Sequence, residues 1–305
     1  MVSRSLSAAE LLHLDLKGEH CFRARYNQDN FMGSIFGGQV IGQALAAAQK
    51  AVPGWPVHHC SGMFLRAGKT GEPVDYQVEI VRDGRRFSAR RVLAVQSGKP
   101  IFDFFCSFHD AADASWRQTN PAPQVPAPES LLSLQHYFEA NKDRFPTDRM
   151  LIYGAEFPVE LRLIDPDTVF FGPTGQTERR FWLRMPSAAS LQTVADHQGL
   201  LAFMSDYWFA SVAGASWRSG ETGPAPTVSI ASLNHSLWFH QEARADDWLL
   251  FITESPWGGQ GRGLARGLIY NRDGVLVASA SQEVVLNVIP GAPSAGAAQV
   301  AEVCS

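Results

Sequence analysis

The stretch GSIFGGQVIGQALAAAQKAV, residues 33–52, has the apolar spacing of an α-helix, yet it contains four glycines and no charge before Lys50. A glycine inside a helix costs about 0.5–1 kcal/mol relative to alanine, and a surface helix normally has a charged face. We therefore predict a buried helix that is enclosed by a curved sheet. Its glycines would allow neighbouring backbones to approach closely.

The composition of the 305-residue chain excludes several classes of protein. A formal net charge of −4 argues against nucleic-acid binding, which needs a basic surface. The sequence contains neither a secretory signal nor an apolar run long enough to span a membrane. Its four cysteines are scattered without a CxxC motif, which predicts a cytoplasmic protein without a zinc site. We expect no metal and no cofactor.

The two halves of the sequence resemble each other. Residues 37–47 align with 196–206, and 88–102 align with 264–278. Each half has a strand, a long helix and then several strands, and antiparallel sheets wrapped around buried helices satisfy both patterns. We therefore predict an α+β fold of two such units.

A segment with alternating prolines, residues 119–130, separates the two halves and favours an extended linker. We place the first unit at residues 1–112, the linker at 113–155 and the second unit, which carries the candidate site, at 156–305.

Three polar residues interrupt apolar patterns in the second half. Asp206 falls in a predicted helix beside small side chains, and strand alternation points Gln282 towards the interior. Ser232 lies in a strand, but its direction is ambiguous. A buried carboxylate must be paired, hydrogen-bonded or protonated, and an unpartnered buried amide costs about 1–3 kcal/mol. From the residues alone, a structural hydrogen bond explains Asp206 as well as catalysis does.

The internal repeat favours a functional explanation. None of the three polar side chains has an equivalent in the first half, where the aligned residues are Ala47, Pro56 and Cys106. If these polar groups served packing that is common to both units, we would expect polar residues at some of the aligned positions in the first half. One asymmetric polar cluster therefore fits a single functional site.

The segments that carry these residues resemble the acyl-CoA thioesterase II family, the TesB-like double-hotdog enzymes. They include FGGQVIGQALAAA (36–48), SLNHSLWFH (232–240) and DGVLVASASQE (273–283), in the order found in the family. The resemblance implies a tandem hotdog fold and hydrolysis of acyl-CoA to a free fatty acid and CoA. It also implies that the protein is a homo-oligomer.

The resemblance further implies that Asp206, Ser232 and Gln282 are the catalytic residues. A thioester carbonyl is electrophilic enough for attack by water that a carboxylate has deprotonated. Asp206 would be the base, while the hydroxyl and the amide would orient the water and the carboxylate. We also expect Gly37 and Gly38, at a helix N-terminus, to admit the substrate carbonyl and to stabilise its oxyanion.

Two other functions remain open. A hotdog hydratase or dehydratase moves a proton at carbon with a histidine and a carboxylate, and no histidine matches such a site here. A non-catalytic acyl-CoA-binding module would keep the groove without turnover. The presence of all three polar residues argues against such a module.

Overall fold

The computed structural model describes residues 5–28, 34–52, 54–110, 118–145, 157–172, 176–218, 228–288 and 300–302. The strands are β1 (Leu14–Gly18), β2 (Cys21–Ala24), β3 (Val57–Phe64), β4 (Val74–Asp83), β5 (Phe87–Gln96), β6 (Lys99–His109), β7 (Glu160–Leu163), β8 (Glu178–Arg184), β9 (Val228–Ser232), β10 (Asn234–Phe239), β11 (Leu249–Gly259), β12 (Arg262–Tyr270), β13 (Leu276–Val288) and β14 (Val300–Glu302). The α-helices are α1 (Ala8–Leu12), α2 (Gly37–Lys50), α3 (Leu134–Ala140), α4 (Pro166–Phe171) and α5 (Val194–Met204).

The described strands form one 14-stranded sheet in which the two halves of the chain are continuous. The first half contributes β1, β2, β4, β5, β6 and β3 in spatial order, and its strands β3 to β6 pack against α2. The second half contributes β10, β13, β12, β11, β8 and β7. Strands β3 and β10 join the halves by an antiparallel pairing that runs from Met63↔Asn234 to His59↔Trp238.

Helix α2 packs directly against α5, and its Gly38 and Gly42 lie at this contact. A Cβ on Gly42 would lie 2.8 Å from the backbone oxygen of Gly199, and a Cβ on Gly38 would collide with the carbonyl of Phe203. The prediction that α2 is buried is therefore right. The partner that requires its glycines is a second helix rather than the sheet alone.

This contact predicts an unusual effect of an alanine substitution. Gly→Ala inside a helix normally stabilises by about 1 kcal/mol. We expect Gly42→Ala to lower the free energy of unfolding by about 2 kcal/mol instead, because its methyl group would overpack the α2–α5 contact. Urea denaturation would measure the change. Gly71→Ala is the control, because Gly71 is exposed and open space surrounds it. A more stable Gly42→Ala protein would contradict the packing argument.

The second helix differs from the sequence-based expectation. A single helix was predicted to run through Asp206, but α5 ends at Met204. Trp208 follows with a φ of 60°, in the left-handed region, where a bulky side chain interrupts an α-helix. A 3₁₀ helix, Ala210–Arg218, then packs against β9, β11, β12 and β13.

The predicted linker is only partly extended. Residues 118–127 contain neither helix nor strand, but α3 follows, and its Phe138 is 1% exposed among other aromatic rings. Residues 111–117 and 146–156 lie outside the described part of the chain. The boundaries 1–112, 113–155 and 156–305 stay a prediction.

Candidate active site

Asp206 lies in the turn directly after α5, and its side chain is buried, with 1% of the residue exposed. Its Oδ1 accepts a hydrogen bond of 2.7 Å from Nε2 of Gln282. Burial raises the pKa of the carboxyl group to about 6, although Gln282 and a backbone hydrogen bond from Gly38 act in the opposite direction. The carboxylate is thus poised to exchange a proton near neutral pH.

Gln282 joins the carboxylate to a hydroxyl group. It lies on β13 with 0% exposure, and its Nε2 also donates to Oγ of Ser232 at 2.5 Å. One amide nitrogen therefore contacts both predicted partners. The structure brings together Asp206, Ser232 and Gln282, which are far apart in the sequence.

A slip in strand alternation turns Ser232 towards this site. Ser232 pairs with Val284 of β13 but Ser236 pairs with Ser281, so this side of the ladder contains one extra residue around Leu233. Irregularities of this kind redirect side chains and often occur beside active sites. The slip is the reason that simple alternation left the direction of Ser232 ambiguous.

The N-terminus of α2 forms the opposite wall of the site. Gly37 is the first residue of this helix, and a Cβ there would lie 2.8 Å from Oδ2 of Asp206 and 3.0 Å from Cζ of Phe64. The absence of that Cβ allows Oδ2 and the Phe64 ring to approach this end of α2. The positive end of the helix dipole also favours the ionised carboxylate. The site is therefore built from both halves of the chain.

The sequence analysis missed two buried polar residues behind Gln282. His235 is 2% exposed, and its Nε2 lies 2.8 Å from Oγ of Ser205. The ring of Phe209 packs edge-on against the imidazole at 5.8 Å. Burial lowers the pKa of His235 to about 4, so the ring is neutral at physiological pH. The sequence feature that could have identified His235 is its position on the apolar face of the segment SLNHSLWFH (232–240).

No group of three or more His, Cys, Asp or Glu side chains among the described residues could hold a metal ion. None of the helices in the same part of the chain is both long and apolar enough to cross a bilayer.

Models of known protein families match both halves of the chain. The model of the acyl-CoA thioesterase N-terminal domain matches residues 27–109, and that of the acyl-CoA thioesterase C-terminal domain matches residues 120–286. The chain belongs to the acyl-CoA thioesterase family. Within this family it is 36% identical to human acyl-coenzyme A thioesterase 8, with 94% of this chain and 91% of the human protein covered. It is 32% identical to acyl-CoA thioesterase 2 of Haemophilus influenzae, over 90% and 94% of the two chains.

Solved structures agree with this family assignment. The acyl-CoA thioesterase II TesB2 of Mycobacterium marinum is 30% identical and superposes with a TM-score of 0.72, covering 93% of this chain and 98% of that one. A hot dog protein from Alicyclobacillus acidocaldarius, only 17% identical, has the same TM-score and supports the fold alone. The predicted TesB-like family and tandem hotdog fold are confirmed.

Proposed function

We propose that this member of the acyl-CoA thioesterase family hydrolyses acyl-CoA to a free carboxylic acid and CoA, with Asp206 as the general base. Family membership supports the substrate class and the reaction. The observation that carries the mechanism is the environment of one carboxylate. Gln282 holds its Oδ1, while its Oδ2 lies beside Gly37, a position that carries no Cβ.

The reaction begins with a water molecule at Oδ2 of Asp206. The carboxylate takes a proton from the water as its oxygen attacks the thioester carbonyl and forms a C–O bond. Collapse of the tetrahedral intermediate breaks the C–S bond. The proton then passes from Asp206 to the departing sulfur. The products are the carboxylic acid and CoA, and the carboxylate is restored.

Gln282 and Ser232 orient the reacting groups. The Gln282 amide fixes one oxygen of the carboxylate and also donates to the Ser232 hydroxyl. Since the Ser232 oxygen accepts this bond, its own hydrogen can point towards the attacking water. Serine thus supplies the donor and acceptor that a threonine would supply at this position.

The N-terminal end of α2 is our candidate for oxyanion stabilisation, at Gly37 and Gly38. The first N–H groups of a helix lack partners within that helix, and they carry partial positive charge. The Gly38 N–H already donates to Asp206. Within this proposal, Gly38 therefore supports the base, and the substrate oxyanion is assigned to Gly37.

The pKa of Asp206 predicts the acid limb of the pH profile. The base must be ionised, so kcat/KM should fall about tenfold for each pH unit below about pH 6 and level off above it. The limb lies near pH 6 because burial raises the pKa of Asp206. Initial rates with one acyl-CoA across the acidic range would measure it. A limb that stays near the ordinary pKa of aspartic acid would contradict the assignment of Asp206 as the base.

The function itself is tested by thiol release from short-, medium- and long-chain acyl-CoAs, with Asp206→Ala as the control. We expect the wild-type protein to release CoA and the variant to release almost none. Mass spectrometry of an enoyl-CoA reaction would reveal a hydratase through addition of one water with the thioester intact. Binding of acyl-CoA without either product would identify a non-catalytic binding module. Either result would overturn the proposal.

We also propose that the protein acts in the cytoplasm as a homo-oligomer. Three of its cysteines, Cys21, Cys60 and Cys106, are free thiols, as expected in a reducing compartment. Large apolar side chains on the central strands, Met63, Phe105 and Trp238, are 51%, 41% and 40% exposed and could meet a second copy. Light scattering coupled to size exclusion would give the mass, and a monomer would contradict the oligomer.

A further inference from the structure

Two buried atoms next to the carboxylate lack a hydrogen bond of ordinary geometry. They are Oε1 of Gln282 and Nδ1 of His235. The two residues lie on β13 and β10, next to the paired residues Ser281 and Ser236. The Gln282 side chain also acts on His235 as a hydrogen-bond partner, opposing the effect of burial. The side chains that carry these two atoms therefore interact across neighbouring strands.

The position of one hydrogen on Ser205 decides how these atoms pair. Its Oγ lies 2.8 Å from Nε2 of His235 and 2.8 Å from the backbone oxygen of Ala202, but a hydroxyl group has one hydrogen to donate. If Ser205 donates to Ala202, His235 must be protonated on Nε2. Its bare Nδ1 then faces the Gln282 oxygen, acceptor against acceptor. If Ser205 donates to Nε2, the proton lies on Nδ1 and can be donated to Gln282.

The ionised carboxylate fixes the direction of the Gln282 amide. A carboxylate can only accept, so the NH₂ group must face Asp206 and the oxygen must face His235. Only the Nδ1–H form of the neutral ring satisfies that oxygen. This form gives partners to two buried atoms and gives up one hydroxyl–carbonyl bond, which makes it the favoured arrangement.

We propose that His235, held by Ser205, is a positioning residue that donates from Nδ1 to Gln282 and keeps its amide directed at Asp206. Without this donor the amide can turn by 180° and place its oxygen against the carboxylate. His235 touches no reacting atom in this role. The aligned residue in the first half, His59, is only half-buried and packs against Trp238, so this position of the first repeat does not reproduce the arrangement. This role rests on the proposed function, because His235 acts on the same carboxylate through Gln282.

The first test does not depend on activity. Long-range ¹H–¹⁵N NMR of histidine-labelled wild-type protein distinguishes the two neutral tautomers by the nitrogen shifts. The nine histidines can be separated by comparison with a spectrum of His235→Asn. We expect a protonated Nδ1 and a bare Nε2 for His235. A protonated Nε2 with a bare Nδ1 would overturn the proposal, whether or not the protein hydrolyses acyl-CoA.

The second test uses two amide substitutions of opposite design. Asparagine places its NH₂ near the position of Nδ1, whereas glutamine places its amide near Nε2 and offers no donor at Nδ1. We expect His235→Gln to lower kcat about tenfold with little change in KM, and His235→Asn to retain most of the activity. Equal losses in both variants, or no loss in either, would overturn the positioning role. Thermal melting of both proteins separates these results from misfolding.

Discussion

Asp206→Asn is expected to lower kcat for acyl-CoA hydrolysis by about 1,000-fold, because general-base catalysis contributes about 10²–10⁴-fold and asparagine cannot accept the proton. Asparagine has nearly the same size and can still accept a hydrogen bond from Gln282 through its amide oxygen. The substitution therefore removes the base and keeps the packing. Initial rates at saturating substrate would measure the loss.

The same variant is expected to be more stable than the wild-type protein at neutral pH. Burial raises the pKa of Asp206 from an ordinary 3.8 to about 6 in the folded state. The folded protein thus favours the protonated acid, and this contribution to stability is lost as the pH rises through about 6. The difference between the two pKa values corresponds to about 3 kcal/mol. Asparagine is never charged and avoids the loss.

Urea denaturation of both proteins at about pH 4.5 and about pH 8 would separate these effects, with a larger gain for the variant at the higher pH. Asp273→Asn is the matched control, since Asp273 is exposed on a turn. Wild-type turnover by folded Asp206→Asn would eliminate Asp206 as the base. If the difference in stability between the two proteins does not depend on pH, ionisation of buried Asp206 does not destabilise the folded protein.

Gly37→Ala is expected to lower kcat by about 100-fold while the protein stays folded. The added methyl group would lie 2.8 Å from Oδ2 of Asp206, where the mechanism places the attacking water. Displacing a reacting atom by about 1 Å can reduce a rate about 100-fold. Steady-state kinetics together with a melting curve would measure both properties.

Gly37 is a sharper probe of the site than Gly38. A side chain on Gly38 collides with the backbone of Phe203 and the ring of Phe36, so its substitution disturbs the helix contact as well as the site. Gly71→Ala again serves as the control, because its methyl group would meet nothing within 4 Å. Unchanged kcat in folded Gly37→Ala would show that the water and the oxyanion lie elsewhere.

The repeat and the apolar patterns were sufficient to predict the fold. Alternation in the strands and the nearly uncharged stretch 37–50 identify a sheet around a buried helix without any three-dimensional information. These features are local and periodic, which makes them visible in the sequence. The second helical segment was harder to predict. After Asp196, His197 and Gln198 its sequence is apolar as far as Met204, and neither glycine nor proline marks its end there.

The candidate site was predictable in part. Asp206 and Gln282 are conspicuous because each is a polar residue at an apolar position. The facing of Ser232 depends on a slip near Leu233 that comes from pairing with β13, a contact distant in the sequence. His235 lies on an apolar face, where a histidine most often has a structural role. Its relation to Gln282 emerges only when two strands pair.

The helix contact at Gly42 and Gly199 shapes how this duplicated chain can evolve. The first repeat carries none of the three polar side chains proposed for catalysis, but the N-terminal end of its helix lies beside Asp206 of the second repeat. The first repeat therefore contributes to the candidate site without supplying its polar side chains. Mutations that loosen the contact between α2 and α5 are therefore expected to disturb the candidate site of the second repeat, even where they lie in the first.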